Sequence, residues 1–356
     1  MKIALIGHLK HPIAAPFAGG LEMITHALAE GMQERGHEVT LFASGDSDPT
    51  LGLQPAIDFA TVPDSVRKLG VEDSLWIENA ENRAYRNLMH SLMQSDFDII
   101  HNNSISPIPL RYASLLPVPL LTTLHVPVLP RMEAEILDLG RPYCGEFINV
   151  SLANLTAWKH LIPDQRLIYN GVDTEFWSGC CHEKQRRAIW FGRIIPDKGT
   201  HFAIDAAHQA GLPIDVVGPI ADQKYYRSEV LPRLQPDDHL TGHRTHEELC
   251  RLISRAQVAV VSPIWDEPFG LVVAEALACG TPVAGFRSGA LPELITERTG
   301  RLVQKEDTDA LAAAIQECCQ LQGNDCRQQA VQNFSLHRML DRYEQLYRSM
   351  VPELIS

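Results

Sequence analysis

No apolar run in the 356-residue sequence approaches the roughly 18 residues of a membrane-spanning helix. No C-x-x-C pair occurs among its eight cysteines (Cys144, Cys180, Cys181, Cys250, Cys279, Cys318, Cys319 and Cys326), so zinc-type spacing is absent. No secretory signal precedes the first apolar stretch, Lys2–Gly7; reduced thiols and a cytoplasmic location are expected. Cations are in deficit. The formal net charge is −13, and residues 1–173 carry 12 Lys and Arg against 20 Asp and Glu, a net −8. Nucleic acid needs a basic face and is not an expected partner. Neither half shows a polybasic membrane patch, which leaves only peripheral membrane contact open. The dinucleotide fingerprint G-x-G-x-x-G is missing as well. His8, Leu9, Lys10 and His11 follow Gly7, which argues against a nicotinamide dehydrogenase.

What is present is alternation. Short Val/Ile/Leu-rich runs at Lys2–Gly7, Glu38–Ala43, Asp98–His101, Val118–Leu124 and Phe147–Ser151 read as strands. In the second half Ala188–Gly192, Ile214–Gly218, Gln257–Ser262 and Pro282–Gly285 repeat the scheme. Helical periods begin near Gly20 and recur at Thr200–Gln209, Glu247–Ser254, Leu271–Cys279, Ala310–Leu321 and Leu336–Met350. Strands of this composition alternating with helices imply an α/β protein with parallel sheets covered on both faces. There are enough strands for two Rossmann-like domains, with ligands expected in a cleft at the carboxyl ends of the strands. The polar stretch Ser178–Arg187, within 173–187, is the expected break, and Asn170-Gly171-Val172-Asp173 reads as a tight turn ending the first domain.

Three constellations carry chemistry. In Glu267-Pro-Phe-Gly-Leu-Val-Val-Ala-Glu275, two carboxylates bracket a turn and the start of an apolar helix. Pro268 keeps Glu267 extended, Gly270 admits close backbone approach, and the helix start offers N–H groups to an anion. Such a frame suits a diphosphate with hydroxyls at both ends, as in a nucleotide sugar. In Gly192-Arg193-Ile-Ile-Pro-Asp-Lys198-Gly199, Arg193 supplies a fork for phosphate oxygens and Lys198 a point charge. Gly19 and Gly20 precede the first helix and bring backbone N–H groups toward an anion. His125 closes a strand, where a hydrogen bond to substrate and a purely structural role are both open. No metal is expected: His8 and His11 have no carboxylate or third histidine at ligating spacing.

In this order the elements resemble the retaining glycosyltransferases of family four, which have the GT-B fold. The match runs over essentially the whole chain. Glu267–Glu275 is similar to the family's Glu-x7-Glu signature, Gly192–Gly199 to its Gly-Arg-x-x-Pro-x-Lys-Gly element, and Gly19-Gly20 to its N-terminal Gly-Gly. Asn170–Asp173 and Ala278-Cys-Gly-Thr-Pro-Val283 are also similar to family segments. Trp265–Gly270 and Gly218–Asp222 look like a bacterial glucosyltransferase-like subgroup. The resemblance implies an acceptor domain over 1–173, a donor domain over 174–335, and a C-terminal helix, 336–356, crossing back. It implies that Arg193, Lys198 and Gly20 hold the donor diphosphate. Glu275 would bind the ribose, and Glu267 the transferred sugar beside the N–H groups of Phe269, Gly270 and Leu271. His125 would lie near the sugar. The implied reaction is a metal-independent, cofactor-free transfer of a hexose from a UDP-sugar, UDP-glucose-like, to a hydroxyl on a small-molecule, glycan or lipid-linked acceptor. Anomeric configuration would be retained by front-face displacement. Alternatives are an epimerase or phosphorylase of the same fold and a non-catalytic nucleotide-sugar-binding module.

Overall fold

The computed structural model describes residues 1–178 and 183–351. Cys180, Cys181, part of the expected break and the last residues of the 336–356 segment lie outside them. The chain forms two compact units, Met1–Tyr169 with Met339–Ser356, and Asn170–Arg338.

The first unit is built on seven strands: β1 (Lys2–Ile6), β2 (Glu38–Ser44), β3 (Leu53–Ile57), β4 (Ile99–Asn102), β5 (Leu120–Leu124), β6 (Glu146–Asn149) and β7 (Arg166–Leu167). They are all parallel, in the order β3-β2-β1-β4-β5-β6-β7. Apart from Lys2 at the start of β1, strands β1, β4 and β5 are buried throughout, because helices cover both faces and leave no polar-out alternation. Helix α1 (Gly20–Glu34) returns from β1 to β2. Helices α2 (Thr61–Leu69) and α3 (Ser74–Leu92) join β3 to β4. Asp73 caps α3 by accepting from the Trp76 N–H at 2.8 Å. The end of the chain packs here too. Tyr347 Oη lies 2.6 Å from His101 Nδ1, and Tyr343 Oη lies 3.2 Å from Thr123 Oγ1. Arg35 pairs with Asp341 and Glu344 at 2.8 and 3.0 Å.

The second unit has six parallel strands: β8 (Gln185–Phe191), β9 (Ile214–Val217), β10 (His239–Gly242), β11 (Ala256–Val261), β12 (Val283–Phe286) and β13 (Gly300–Val303). Their order is β10-β9-β8-β11-β12-β13. The sequence pattern anticipates the central strands of both sheets to within a few residues. It misses β3, β7, β10 and β13, which lie at or next to the sheet margins and lack a continuous apolar run. Helix α3 was not anticipated either.

Two local expectations change. The stretch 173–187 belongs to the second unit, where Thr174–Ser178 is helical and Gln185 opens β8. Asn170-Gly171-Val172 is not a tight turn. Val172 N–H donates to Phe334 O and Leu336 N–H to Val172 O, each at 2.8 Å, and Val172 bridges to Ser335 in parallel. A side chain on Gly171 would place its Cβ 2.6 Å from Leu336 Cα, so glycine is needed there for close backbone approach.

Candidate active site

In each sheet the chain order reverses once at the centre, between β1 and β4 in the first unit and between β8 and β11 in the second. Loops leaving the carboxyl ends of strands at such a point splay apart and leave room for a ligand.

In the second unit the loops after β8 and β11 are tied together. Ser262 Oγ donates to Gly199 O at 2.9 Å, and Ile264 N–H donates to Asp197 O at 2.9 Å. Lys198 Nζ donates to Glu267 Oε2 at 2.6 Å, and Trp265 Nε1–H donates to the same oxygen at 2.8 Å. The ammonium also sits 5.0 Å from the Trp265 ring centroid. Lys198 and Glu267, which the sequence presents as separate handles, are thus one unit. The Glu267 backbone is fixed as well, since its carbonyl accepts from Ala290 N–H at 2.9 Å. A Cβ on Gly289 would stand 2.1 Å from that carbonyl oxygen. Arg193, just past β8, is exposed and forms no hydrogen bond or ion pair among the described residues.

Gly270, at φ 96°, precedes the helix Leu271–Ala278, whose first turn receives no side-chain cap. Phe269 is buried and meets the edge of Phe334, with ring centroids 5.9 Å apart. Glu275 lies on that helix at 6 % exposure, and burial pushes its carboxyl up to about 7. Among the described residues its carboxylate has no hydrogen-bond or ion-pair partner. A buried acid without a partner costs stability, which a ligand hydroxyl can recover. The structure therefore brings Arg193, Lys198, Glu267, Phe269, Gly270, Leu271 and Glu275 onto neighbouring segments of one unit.

Gly19, Gly20 and His125 lie in the first unit. Gly19 caps α1, and Gly20 is its first residue. His125, one residue past β5, donates from Nε2 to Asn103 Oδ1 at 2.9 Å, which leaves Nδ1 with a lone pair. Burial, with a further contribution from His8, lowers its pKa to about 3, so the ring stays neutral at physiological pH. The sequence reading missed His8 and Glu22 as a pair. His8, two residues past β1, donates from Nε2 to Glu22 Oε1 at 2.8 Å, and its Nδ1 accepts from Lys10 N–H at 3.1 Å. Both side chains are almost fully buried. Burial raises the Glu22 carboxyl, but the His8 hydrogen bond, the His8 charge, a backbone hydrogen bond and the His11 charge together outweigh it and hold the group below the ordinary carboxylate value. The partners are 14 positions apart across an irregular loop, so no fixed period could have signalled them. Among the described residues no three His, Cys, Asp or Glu side chains converge to hold a metal, and no helix is long and apolar enough to cross a membrane.

Residues 173–334 match the family model for glycosyl transferases group 1, and residues 18–176 match that for glycosyltransferase family 4. The MMP alpha-(1->4)-mannosyltransferase of Mycolicibacterium hassiacum is 25% identical over the full length of both chains. The D-inositol 3-phosphate glycosyltransferase of Pseudarthrobacter chlorophenolicus is 26% identical over 85% of this chain and 83% of its own. Among solved structures, Anabaena HepE in complex with UDP superposes with a TM-score of 0.77 at 18% identity, covering 98% of this chain and 100% of that one. The sucrose-phosphate synthase of Thermosynechococcus elongatus gives 0.77 at 22% identity, covering 98% of each chain. The chain belongs to the family-four glycosyltransferases and is an enzyme of that family with the GT-B fold.

Proposed function

We propose that the protein transfers a hexose from a UDP-sugar, UDP-glucose-like, to an acceptor hydroxyl with retention of configuration and without a metal ion. The observation that carries this reading is the pair of loops after β8 and β11, tied together through Lys198–Glu267 with Arg193 unpaired beside them. A guanidinium fork and an ammonium suit the two phosphates of a nucleoside diphosphate, and they supply the charge that a divalent cation supplies elsewhere. Glu275 accepts from the ribose hydroxyls, which gives its buried carboxyl a partner. Glu267, fixed by Lys198 and Trp265, orients the hydroxyls of the transferred sugar. The uncapped helix start at Leu271, with the Phe269 and Gly270 N–H groups, faces the anionic part of the donor. The complexes of Anabaena HepE with UDP and with UDP-glucose support the choice of base and sugar.

The way the carboxylates are employed supports retention by front-face displacement. Glu267 is held by two donors on one oxygen and is a poor nucleophile. As the bond from the anomeric carbon to the diphosphate oxygen breaks, Arg193 and Lys198 take up the developing charge. The departing phosphate oxygen accepts the acceptor hydroxyl's proton while that oxygen bonds to the same face. The protein's contribution is positioning and charge stabilisation.

A thermal-shift panel of nucleotide sugars tests the donor, since a ligand bound only to the folded state adds about 2.7 kcal/mol at a hundredfold excess over its Kd. A response to UDP-glucose above GDP- and ADP-sugars is expected, with undiminished turnover in EDTA and an α-linked product by NMR. A silent panel, or a β-linked product from an α-linked donor, overturns the reading.

A further inference from the structure

The second unit has a cavity of about 430 Å³ at the amino edge of its sheet, a size that suits a small ligand. Lys184 and Arg186 reach it from the start of β8, Gln257 from the start of β11, and Leu212 from the turn before β9. Gln316, Cys319 and Gln320 reach it from the end of the helix Thr308–Cys318. Arg193, Lys198 and Glu267 follow the carboxyl ends of the same strands. β8 alone has seven residues and spans about 23 Å at about 3.3 Å per residue. The cavity is therefore separate from the candidate active site.

Its lining is cationic and under-partnered. Lys184 Nζ donates to Thr281 Oγ1 at 2.7 Å, and that hydroxyl gives its own proton to Ile253 O at 2.7 Å. The partner is neutral, and among the described residues no carboxylate pairs with the ammonium. Burial lowers its pKa to about 8, as befits an ammonium short of counter-charge. The Arg186 guanidinium lies beside Gly211, with Nη2 3.7 Å from where a Cβ there would stand. It has no hydrogen bond or ion pair among the described residues, and neither have the side-chain amides of Gln316 and Gln320, one helical turn apart. Gln257 Nε2 donates to Cys319 O at 3.4 Å, which leaves its Oε1 open. No Asp or Glu lines the cavity. Glu317, next to Gln316, is engaged by Arg301 at 2.7 Å. In a chain of net charge −13, this is a local reversal of sign.

Two cations without counter-charge suit phosphate oxygens. Three carboxamides, each with donors and an acceptor, suit hydroxyls. The volume leaves room for more than a bare phosphate. No aromatic side chain lines the cavity, so a nucleobase would find nothing to stack on.

We propose that Lys184, Arg186, Gln257, Gln316 and Gln320 form a binding site for a phosphorylated sugar, on the edge of the sheet opposite the candidate active site. It does not depend on which donor or acceptor the transferase uses, and no covalent step is involved. The helices Thr200–Gln209 and Thr308–Cys318 both end beside the cavity, where cations also favour the helix dipoles. That role needs no ligand, which makes the two separable.

The test is isothermal titration calorimetry of the full chain with glucose 6-phosphate and glucose 1-phosphate, against glucose and inorganic phosphate. At least one sugar phosphate is expected to bind at least tenfold more tightly than both controls. Arg186→Met and Lys184→Met are each expected to weaken that binding at least tenfold. Gln320→Ala is expected to weaken it about threefold and leave inorganic phosphate unmoved. Lys198→Ala, in the candidate active site, is expected to change it less than twofold. Alkylation of Cys319, followed by peptide mass spectrometry, is expected to slow when the sugar phosphate is bound. Binding lost in Lys198→Ala places the ligand in the active site and overturns the inference. So does binding that survives both Arg186→Met and Lys184→Met, or that is no tighter than inorganic phosphate. Cations that serve only the helix ends would lower the melting temperature in those two variants with no sugar-phosphate binding to lose, and that result overturns it as well.

Discussion

At the switch point between β8 and β11, the second unit gathers Arg193, Lys198, Glu267 and Glu275; at the one between β1 and β4, the first unit gathers His8, Glu22, Asn103 and His125. Strand order is alike in the two sheets, and the first only adds a short seventh strand. The chemistry differs. The second unit offers a free guanidinium, an ammonium shared with a carboxylate, and a buried acid without a partner. The first offers histidines and a carboxylate already bonded to one another. In the proposed reading, one architecture yields an anion-binding end and a hydroxyl-binding end, according to which residues follow the same strands.

The sharpest way to break this comparison is to remove charge from the second unit. Lys198→Ala is expected to lower kcat by about 10²-fold or more, since it removes both a phosphate contact and the group that fixes Glu267. Near-normal turnover in steady-state assays would mean that the two switch points do not divide the work as described. Arg193→Lys should cost about tenfold in kcat/KM, because a point charge does not replace a fork.

Acid–base behaviour offers a second contrast. Glu275 has a folded pKa of about 7 against an ordinary 4.5, so the native state keeps a proton that the unfolded chain releases. Its contribution makes stability fall as pH rises from 4.5 to 7, by up to about 3 kcal/mol at 1.36 kcal/mol per unit. Glu275→Gln should therefore melt above wild type at pH 8, with the gap closing near pH 4.5. His125 and His101 have folded values of about 3 against 6.5, so the unfolded chain takes up protons first. Their contribution is lost as pH falls from 6.5 toward 3, the opposite slope. His125→Asn should flatten that limb in urea melts at pH 5 and 6.5. Equal pH profiles in both variants would erase the distinction between the units.

The smallest effect concerns packing within the first unit. Arg35→Ala removes a part-exposed pair with Asp341 and Glu344 and should cost under about 1 kcal/mol in chemical denaturation.

Much of this is legible in the sequence. The central strands stand out because a parallel sheet buried on both faces demands unbroken Val, Ile and Leu. Edge strands such as Leu53–Ile57, half-exposed and carrying Pro55, lack that demand and leave no clear mark. The Glu267–Glu275 and Gly192–Gly199 segments stand out as candidates because each is local, a turn beside a helix start. Gly171 was misread because Asn-Gly ordinarily marks a turn. Here the glycine serves a backbone 165 positions later in the chain, which no local rule detects.

The sequence by itself determined the fold class and the family, because periodicity and short motifs are properties of neighbours along the chain. Only the tertiary structure decided that Lys198 and Glu267 act as one pair and that His8 is bonded to Glu22. Those facts depend on which loops meet after strands are ordered in a sheet. Strand order is set by packing across the whole unit, and no window of sequence contains it.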